Sequence, residues 1–291
     1  MLFASDLSVP EGPVALEDGT WLVVEMGPDR GCVTHITADG QGKRIVAKTG
    51  RPNGLAIDKN GDIWVAESKY PSLMKVSLHG NAEVIMTACN GEPFLFPNDL
   101  CFGPDGALYL TDSGILFEDF APGGKVRPDY MDAEIDGRVY RIDLTTMTIE
   151  KIDSGIRFTN GIAFGPDDNL YVNETLTGMI YRYEWRDGKI VGGREDYGNV
   201  IDPDNTDEGI KGPDGMAFSK DGRLYCTVFG QGDVTVLGTD GRVVERIKTA
   251  GKLPTNVAFG LGERKIYVTE DEHGTLEVFE VDAEGLPLYT D

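Results

Sequence analysis

The sequence predicts an all-β protein, a six-bladed β-propeller with four antiparallel strands per blade, and three observations carry that prediction. One short pattern recurs six times along 291 residues, each copy reads as a β-hairpin, and further strands follow each hairpin. The pattern is a polar residue, a small residue or two, an apolar run, a Gly-containing turn and a second apolar run. It stands as EGPVALEDGTWLVVE from Glu11, NGLAIDKNGDIWVAE from Asn53 and NDLCFGPDGALYLTD from Asn98. It returns as NGIAFGPDDNLYVNE from Asn160, DGMAFSKDGRLYCTV from Asp214 and TNVAFGLGERKIYVTE from Thr255. The steps are 42, 45, 62, 54 and 41 residues, the period of a propeller blade.

Within a copy, segments such as LAID and IWVA flank Lys-Asn-Gly-Asp, where Asn and Gly supply the positive φ angles of a tight turn. Third strands are read in CVTHITADG, LMKVSLHG, RVYRIDL, MIYRYEW, DVTVLGTDG and TLEVFEVDAEG, and more polar fourth strands in KRIVAKT, AEVIMTA and VVERIKT. The sixth unit ends after its third strand, near Val281. Residues 2–6 are therefore expected to supply its outer strand and close the ring, making residues 1–291 one propeller domain. Six units without a Gly-His…Trp-Asp pattern argue against a seven-bladed WD-type propeller.

Composition narrows the partners. A formal net charge of −22 repels phosphate backbones, which argues against nucleic acid. The amino terminus, MLFASDLSVPEG, lacks the basic stretch and apolar core of a signal peptide. No apolar segment approaches membrane-spanning length, so no membrane partner is expected. Cys32, Cys89, Cys101 and Cys226 form no Cys-x-x-Cys pair and read as reduced thiols of a cytoplasmic protein. Oligomeric state is left open.

Two steps are long. The excess lies in residues 114–137, between the second and third strands of blade three, and in residues 197–213, before blade five. In an up-and-down blade both connections lie on one rim, so both insertions crowd one mouth of the tunnel. Loops of this length in a compact domain are usually functional or disordered. Residues 115–135 are read as a lid, a plain flexible loop being the alternative.

The first residue of each repeat is the informative one. Blades radiate from an axis with first strands innermost, so equivalent residues form a ring at one height in the tunnel. That ring reads Glu11, Asn53, Asn98, Asn160, Asp214 and Thr255. Any single Asn-Gly or Asp-Gly is more simply a turn. Six polar residues in one inward register, two of them acidic, call for a cation to join carboxylates that otherwise repel. An all-oxygen set suits Ca²⁺ before Mg²⁺ or Mn²⁺, with Zn²⁺ less favoured by ligand type. Fourteen residues on stands a second acidic column, Glu25, Glu67, Asp112 and Glu174, broken by Val228 and resumed at Glu270 after one extra residue. These carboxylates are positioned to accept hydrogen bonds from the ring asparagines.

The EGP opening, RPNGLAID, FPNDLCFGPDG…LYLTDSG, TNGIAFGPD…LYVNET and GPDGMAFSKDG…LYC together resemble the senescence marker protein/gluconolactonase/luciferin-regenerating enzyme family over essentially the whole chain. The resemblance implies a six-bladed propeller with one catalytic divalent cation, often calcium, in enzymes that hydrolyse lactones and in some cases organophosphates. It implies metal binding by Glu11, Asn160 and Asp214, and by Asn98 either directly or through water or substrate, with Asn53 beside the substrate. Many sugar-lactonase members carry an arginine just before Pro-Asn-Asp, where it meets substrate hydroxyls. Here Phe96 holds that position, preceded by Leu95, while Arg51 stands at the equivalent place one blade earlier. A less hydroxylated lactone is therefore expected.

The expected chemistry is metal-assisted hydrolysis, in which the cation stabilises the oxyanion formed on attack of the lactone carbonyl. Asp214 is the candidate general base, Glu11 serves the metal alone, and Asn98 and Asn53 orient substrate or water. Candidate pocket walls are Phe96, Phe117, Phe229, Gln231 and His273. His35 and His79 fall on or beside third strands. The alternatives are a phosphotriesterase on the same site and a non-enzymatic propeller with a structural calcium. A strictosidine-synthase-like propeller fits less well, since those proteins are secreted and disulfide-bonded.

Overall fold

The computed structural model describes residues 1–290 and shows six four-stranded antiparallel sheets arranged as blades. The innermost strands are Pro10–Ala15, Pro52–Ile57, Pro97–Phe102, Thr159–Phe164, Gly212–Phe218 and Pro254–Phe259. They are mostly buried, whereas outer strands such as Ala82–Met86 and Val243–Lys248 are largely solvated. Leu2–Ala4 pairs with Thr275–Glu280 as the outer strand of blade six, closing the ring as the repeat count requires.

Apolar side chains that alternate along each strand meet those of the next blade. Leu22 and Val24 of blade one, for example, share a core with Leu55, Ile63 and Val65 of blade two. All four cysteines are free thiols. Among the described residues no helix is long and apolar enough to cross a membrane.

The register between first and second strands breaks at the same place in every blade. The irregularities fall between Glu11 and Val14, Pro52 and Leu55, Pro97 and Leu100, Thr159 and Ile162, Pro213 and Met216, and Pro254 and Asn256. A bulge frees backbone from the ladder and re-aims a side chain. Each polar ring residue lies at such a break, which turns it toward the tunnel.

The acidic column serves the backbone instead of the ring asparagines. Glu67 Oε1 accepts from the backbone N–H groups of Arg51 (2.7 Å) and Lys69 (2.8 Å). Asp112 accepts from those of Leu95, Phe96 and Gly114. Glu25, Glu174 and Glu270 likewise hold the N–H groups of Ser8, Arg157 and Leu253. These carboxylates clamp the segment that leads into each inner strand. In blade five, where Val228 breaks the column, buried Asp233 lies opposite it and binds Gln231, Thr235 and Lys248.

Residues beyond Val281 run across the face opposite the mouth. Leu286 N–H bonds Phe218 O, Tyr289 Oη bonds Asp168 (2.6 Å), and Lys59 N–H bonds Thr290 O. The tail thereby crosses the first-to-second strand turns of blades five, four and two. Having no repeat partner, it gives no periodic signal.

Close approach of inner strands makes one glycine indispensable. A Cβ on Gly161 would lie 2.3 Å from the Asp214 carbonyl oxygen and 3.1 Å from Gly215 Cα, both backbone atoms. Gly161→Ala is expected to cost about 2–3 kcal/mol in urea unfolding, the scale of overpacking. A loss below about 0.5 kcal/mol would contradict this packing.

Candidate metal centre at the tunnel mouth

Glu11, Asn53, Asn98, Asn160 and Thr255 are buried at the start of their strands, and Asp214 keeps a partial opening toward the mouth. Hydrogen bonds fix how two of the amides face. Ser113 donates its hydroxyl proton to Thr159 O (2.9 Å) and accepts from Asn98 Nδ2 (3.0 Å). Thr175 likewise donates to Pro213 O (2.9 Å) and accepts from Asn160 Nδ2 (3.2 Å). With each amide nitrogen committed to a hydroxyl, the carbonyl oxygens are free to face a ligand. The Thr255 hydroxyl is turned to Pro10 O (2.7 Å) and Thr269, joining blade six to blade one.

Two further residues enter the tunnel one position beyond the ring. That position is Gly12, Gly54, Gly161 and Gly215 in four blades but Asp99 and Asn256 in the others. Asn256 Nδ2 donates to Glu11 Oε2 (2.9 Å), which also accepts from the Gly12 N–H. A Cβ on Gly54 would approach Asp99 Oδ1 to 2.5 Å, and one on Gly215 would lie 2.0 Å from Asn256 Cγ. The glycines leave the room that these two side chains occupy.

Three carboxylates therefore bear on one another. Burial pushes Glu11 well above the usual carboxylate range, and the charges of Asp214 and Asp99 push it further. Asp214 is raised by burial and by Asp99, partly offset by a hydrogen bond from Asn160. Burial brings Asp99 to about 6. Buried like charges of this kind ionise together only beside a positive partner. Two ring carboxylates and two oriented amide oxygens, with no sulfur or imidazole among them, fit a hard divalent cation.

On the side of blades three and four the mouth above the ring is walled by an apolar cluster. Phe96 meets Phe117 of the 115–135 segment edge-on, with centroids 5.9 Å apart, and Phe158 at 5.7 Å. The short helix Phe117–Phe120 brings Phe120 to 4.5 Å from Phe158. Leu176 and, from the second insertion, Ile210 complete the cluster, so both long connections meet over one mouth. Phe158 is held at φ 71°, a left-handed backbone that a bulky residue keeps only when its surroundings compel it.

The other expected wall residues do not join this group. Phe229 is half-buried at the end of the second strand of blade five. Gln231 is buried and spent on Asp233 and the Asp202 N–H. His273 is exposed, bonds Glu270 through Nδ1 (2.9 Å), and lines a dent with Met1 and Leu2 beside the outer strand of blade six. Its trio with Glu270 and Glu272 brings ligand atoms within 4.8 Å of one another, but away from the tunnel. Asp99, Asn256 and Phe158 escaped the sequence reading. The same register argument, moved one residue forward or two back from the ring, would have found them.

Fold and site together define a class, a six-bladed propeller with a buried oxygen-donor centre under one mouth. Residues 9–271 match the model of the SMP-30/Gluconolactonase/LRE-like region, and the chain belongs to that family. It is 27% identical to a gluconolactonase of Zymomonas mobilis, covering 92% of this chain and 78% of that one. It is 28% identical to the diisopropyl-fluorophosphatase of Loligo vulgaris, over 98% and 92% of the two chains. The fold is shared with regucalcin, a calcium-binding protein from Agrobacterium tumefaciens, at a TM-score of 0.79, 19% identity and coverage of 99% and 96%.

Proposed function

We propose that the protein is a divalent-metal-dependent lactonase that opens a lactone less hydroxylated than a sugar lactone. The observation that carries the reading is the convergence of Glu11, Asp214 and the oriented amides of Asn98 and Asn160 beneath a phenylalanine-lined mouth. The gluconolactonase relative supports the reaction class. Calcium is the proposed ion, on ligand type. The four free thiols support a reducing, cytoplasmic setting.

A bound cation of this kind supplies Lewis acidity toward a carbonyl oxygen. Glu11, Asn98, Asn160 and Asp214 are the residues that would hold it. Asp214, the ring carboxylate open to the mouth, takes the proton of the attacking water, the neighbouring cation keeping it ionised for that role. Asn53 and Asn98 orient the ring ester. Phe96, Phe117 and Phe158 exclude bulk water from it.

The test is a hydrolysis screen over lactones of graded polarity with chelator-treated and re-metallated protein. Activity lost on chelation, restored by Ca²⁺, and greater on apolar lactones than on gluconolactone supports the proposal. Equal rates with and without metal would refute it. The similarity to the Loligo enzyme favours one second reading, a phosphotriesterase on the same residues. A parallel assay of a γ-lactone and an aryl phosphotriester separates the two.

A further inference from the structure

Two residues before the polar ring, where the chain enters each inner strand, the six blades carry Val9, Arg51, Phe96, Phe158, Gly212 and Leu253. Five carry no polar side chain. The sixth is a cation. The Arg51 guanidinium lies 3.8 Å from the ring centroid of Phe117 and 5.3 Å from that of Phe96. Its Nη1 donates to Ser68 Oγ (2.9 Å), which in turn donates to Arg51 O (2.8 Å), so one edge of the fork is fixed. Among the described residues no other acceptor is bonded to the guanidinium, and no carboxylate lies within 4.0 Å of it.

Most other arginines in this chain of net charge −22 stand within 4.0 Å of a carboxylate. Arg141 pairs with Asp105 at 2.7 Å and Arg194 with Asp153 at 2.8 Å. Around Arg51, Glu67, Asp271, Glu118 and Glu11 keep the guanidinium charged without closing on it, while burial brings its pKa down to about 10. Glu67 Oε1 is taken up by the backbone N–H groups of Arg51 and Lys69. A planar fork with unused donors, flanked by aromatic faces, matches a carboxylate in shape and charge. The surrounding acids repel a free anion, so the seat favours one delivered together with an apolar ring.

We propose that Arg51 is a specificity residue that receives a carboxylate of the substrate, so that the natural lactone is an acid lactone whose ring lies against Phe96 and Phe117. This rests on the lactonase reading above and extends it from a reaction to a substrate class. It also accounts for the cation standing one blade away from the arginine expected before Pro-Asn-Asp. There it meets a carboxylate side arm, and phenylalanine takes the place where ring hydroxyls would bind.

The test compares a five-membered lactone carrying a carboxymethyl group with its methyl ester, in wild type, R51M and R51K. Wild type is expected to favour the acid by about tenfold or more in kcat/KM. R51M is expected to lower the acid-to-ester ratio by about 10- to 100-fold, the range of a charge-assisted hydrogen-bond pair. R51K, with a point charge but no fork, is expected to fall between them. A wild-type preference for the ester, or a ratio unchanged in R51M, would overturn the proposal. An unchanged ratio would mean that Arg51 only holds Phe117 in place. Calorimetric binding of the acid lactone reads the seat independently of turnover. If wild type hydrolyses neither compound, the lactonase reading fails. Binding that is at least tenfold weaker in R51M still supports the seat, and equal binding removes it.

Discussion

Asp214→Asn is expected to reduce turnover of any lactone substrate by about 10³-fold or more while leaving the propeller folded. Asparagine is nearly isosteric and keeps an oxygen toward the ring, so the bulge between Pro213 and Met216 and the bond from Thr175 to Pro213 O are preserved. What it loses is the proton acceptor and one charged ligand of the proposed ion, so turnover is compared at saturating Ca²⁺. It also removes one of three mutually repelling buried carboxylates, so the metal-free variant should melt no lower than metal-free wild type. Glu11→Gln is the informative contrast. Its defect should lie in metal affinity alone, so saturating Ca²⁺ should recover part of the rate in Glu11→Gln and none in Asp214→Asn. A rate constant and a melting curve for each variant make the check. Asp214→Asn turning over near the wild-type rate would remove Asp214 from the base role.

The second large effect is on stability, and its sign follows from the same carboxylates. Glu11, Asp99 and Asp214 all have folded-state pKa values above their ordinary ones of 4.5, 3.8 and 3.8. Above those ordinary values the unfolded chain has released these protons while the folded chain still holds them. Metal-free stability therefore falls as pH rises from about 4 through the folded values, Asp99 contributing up to about 6. Chelated protein should melt about 3 °C or more higher at pH 6 than at pH 8. Calcium at about 100 times its Kd adds about 2.7 kcal/mol and should flatten the slope, since the ion replaces the protons. A chelated protein most stable at pH 8 would contradict these shifts.

What the sequence made legible was whatever repeats. Six equivalent hairpins imply six inner strands, and one register position then implies a ring. Leu2–Ala4 could be placed because blade six lacked a fourth strand. The 115–135 segment could be placed on a rim because an up-and-down blade leaves that connection no other side. Contacts that depend on individual side chains meeting across blades were less legible. The acidic column was read as serving the asparagines, yet Glu67 and Asp112 bind backbone N–H groups contributed by loops, which no side-chain pattern records. Ser113 and Thr175, which orient the amides, stand one residue beyond that column and were overlooked. His273 and Gln231 stand on loops of the mouth-side rim, which is what the sequence reads, yet local carboxylates, Glu270 and Asp233, hold their side chains elsewhere. The tail over the far face has no repeat to betray it.

Calorimetric titration of Ca²⁺ into chelator-treated protein addresses the central assignment most directly, because it reads the ring without assuming a substrate. Wild type should bind one ion per chain, with E11Q and D214N each weakening that site by about 100-fold or more, the cost of removing a buried ligand charge. Equal affinity in all three proteins would place the ion elsewhere and leave the ring a structural feature of the tunnel.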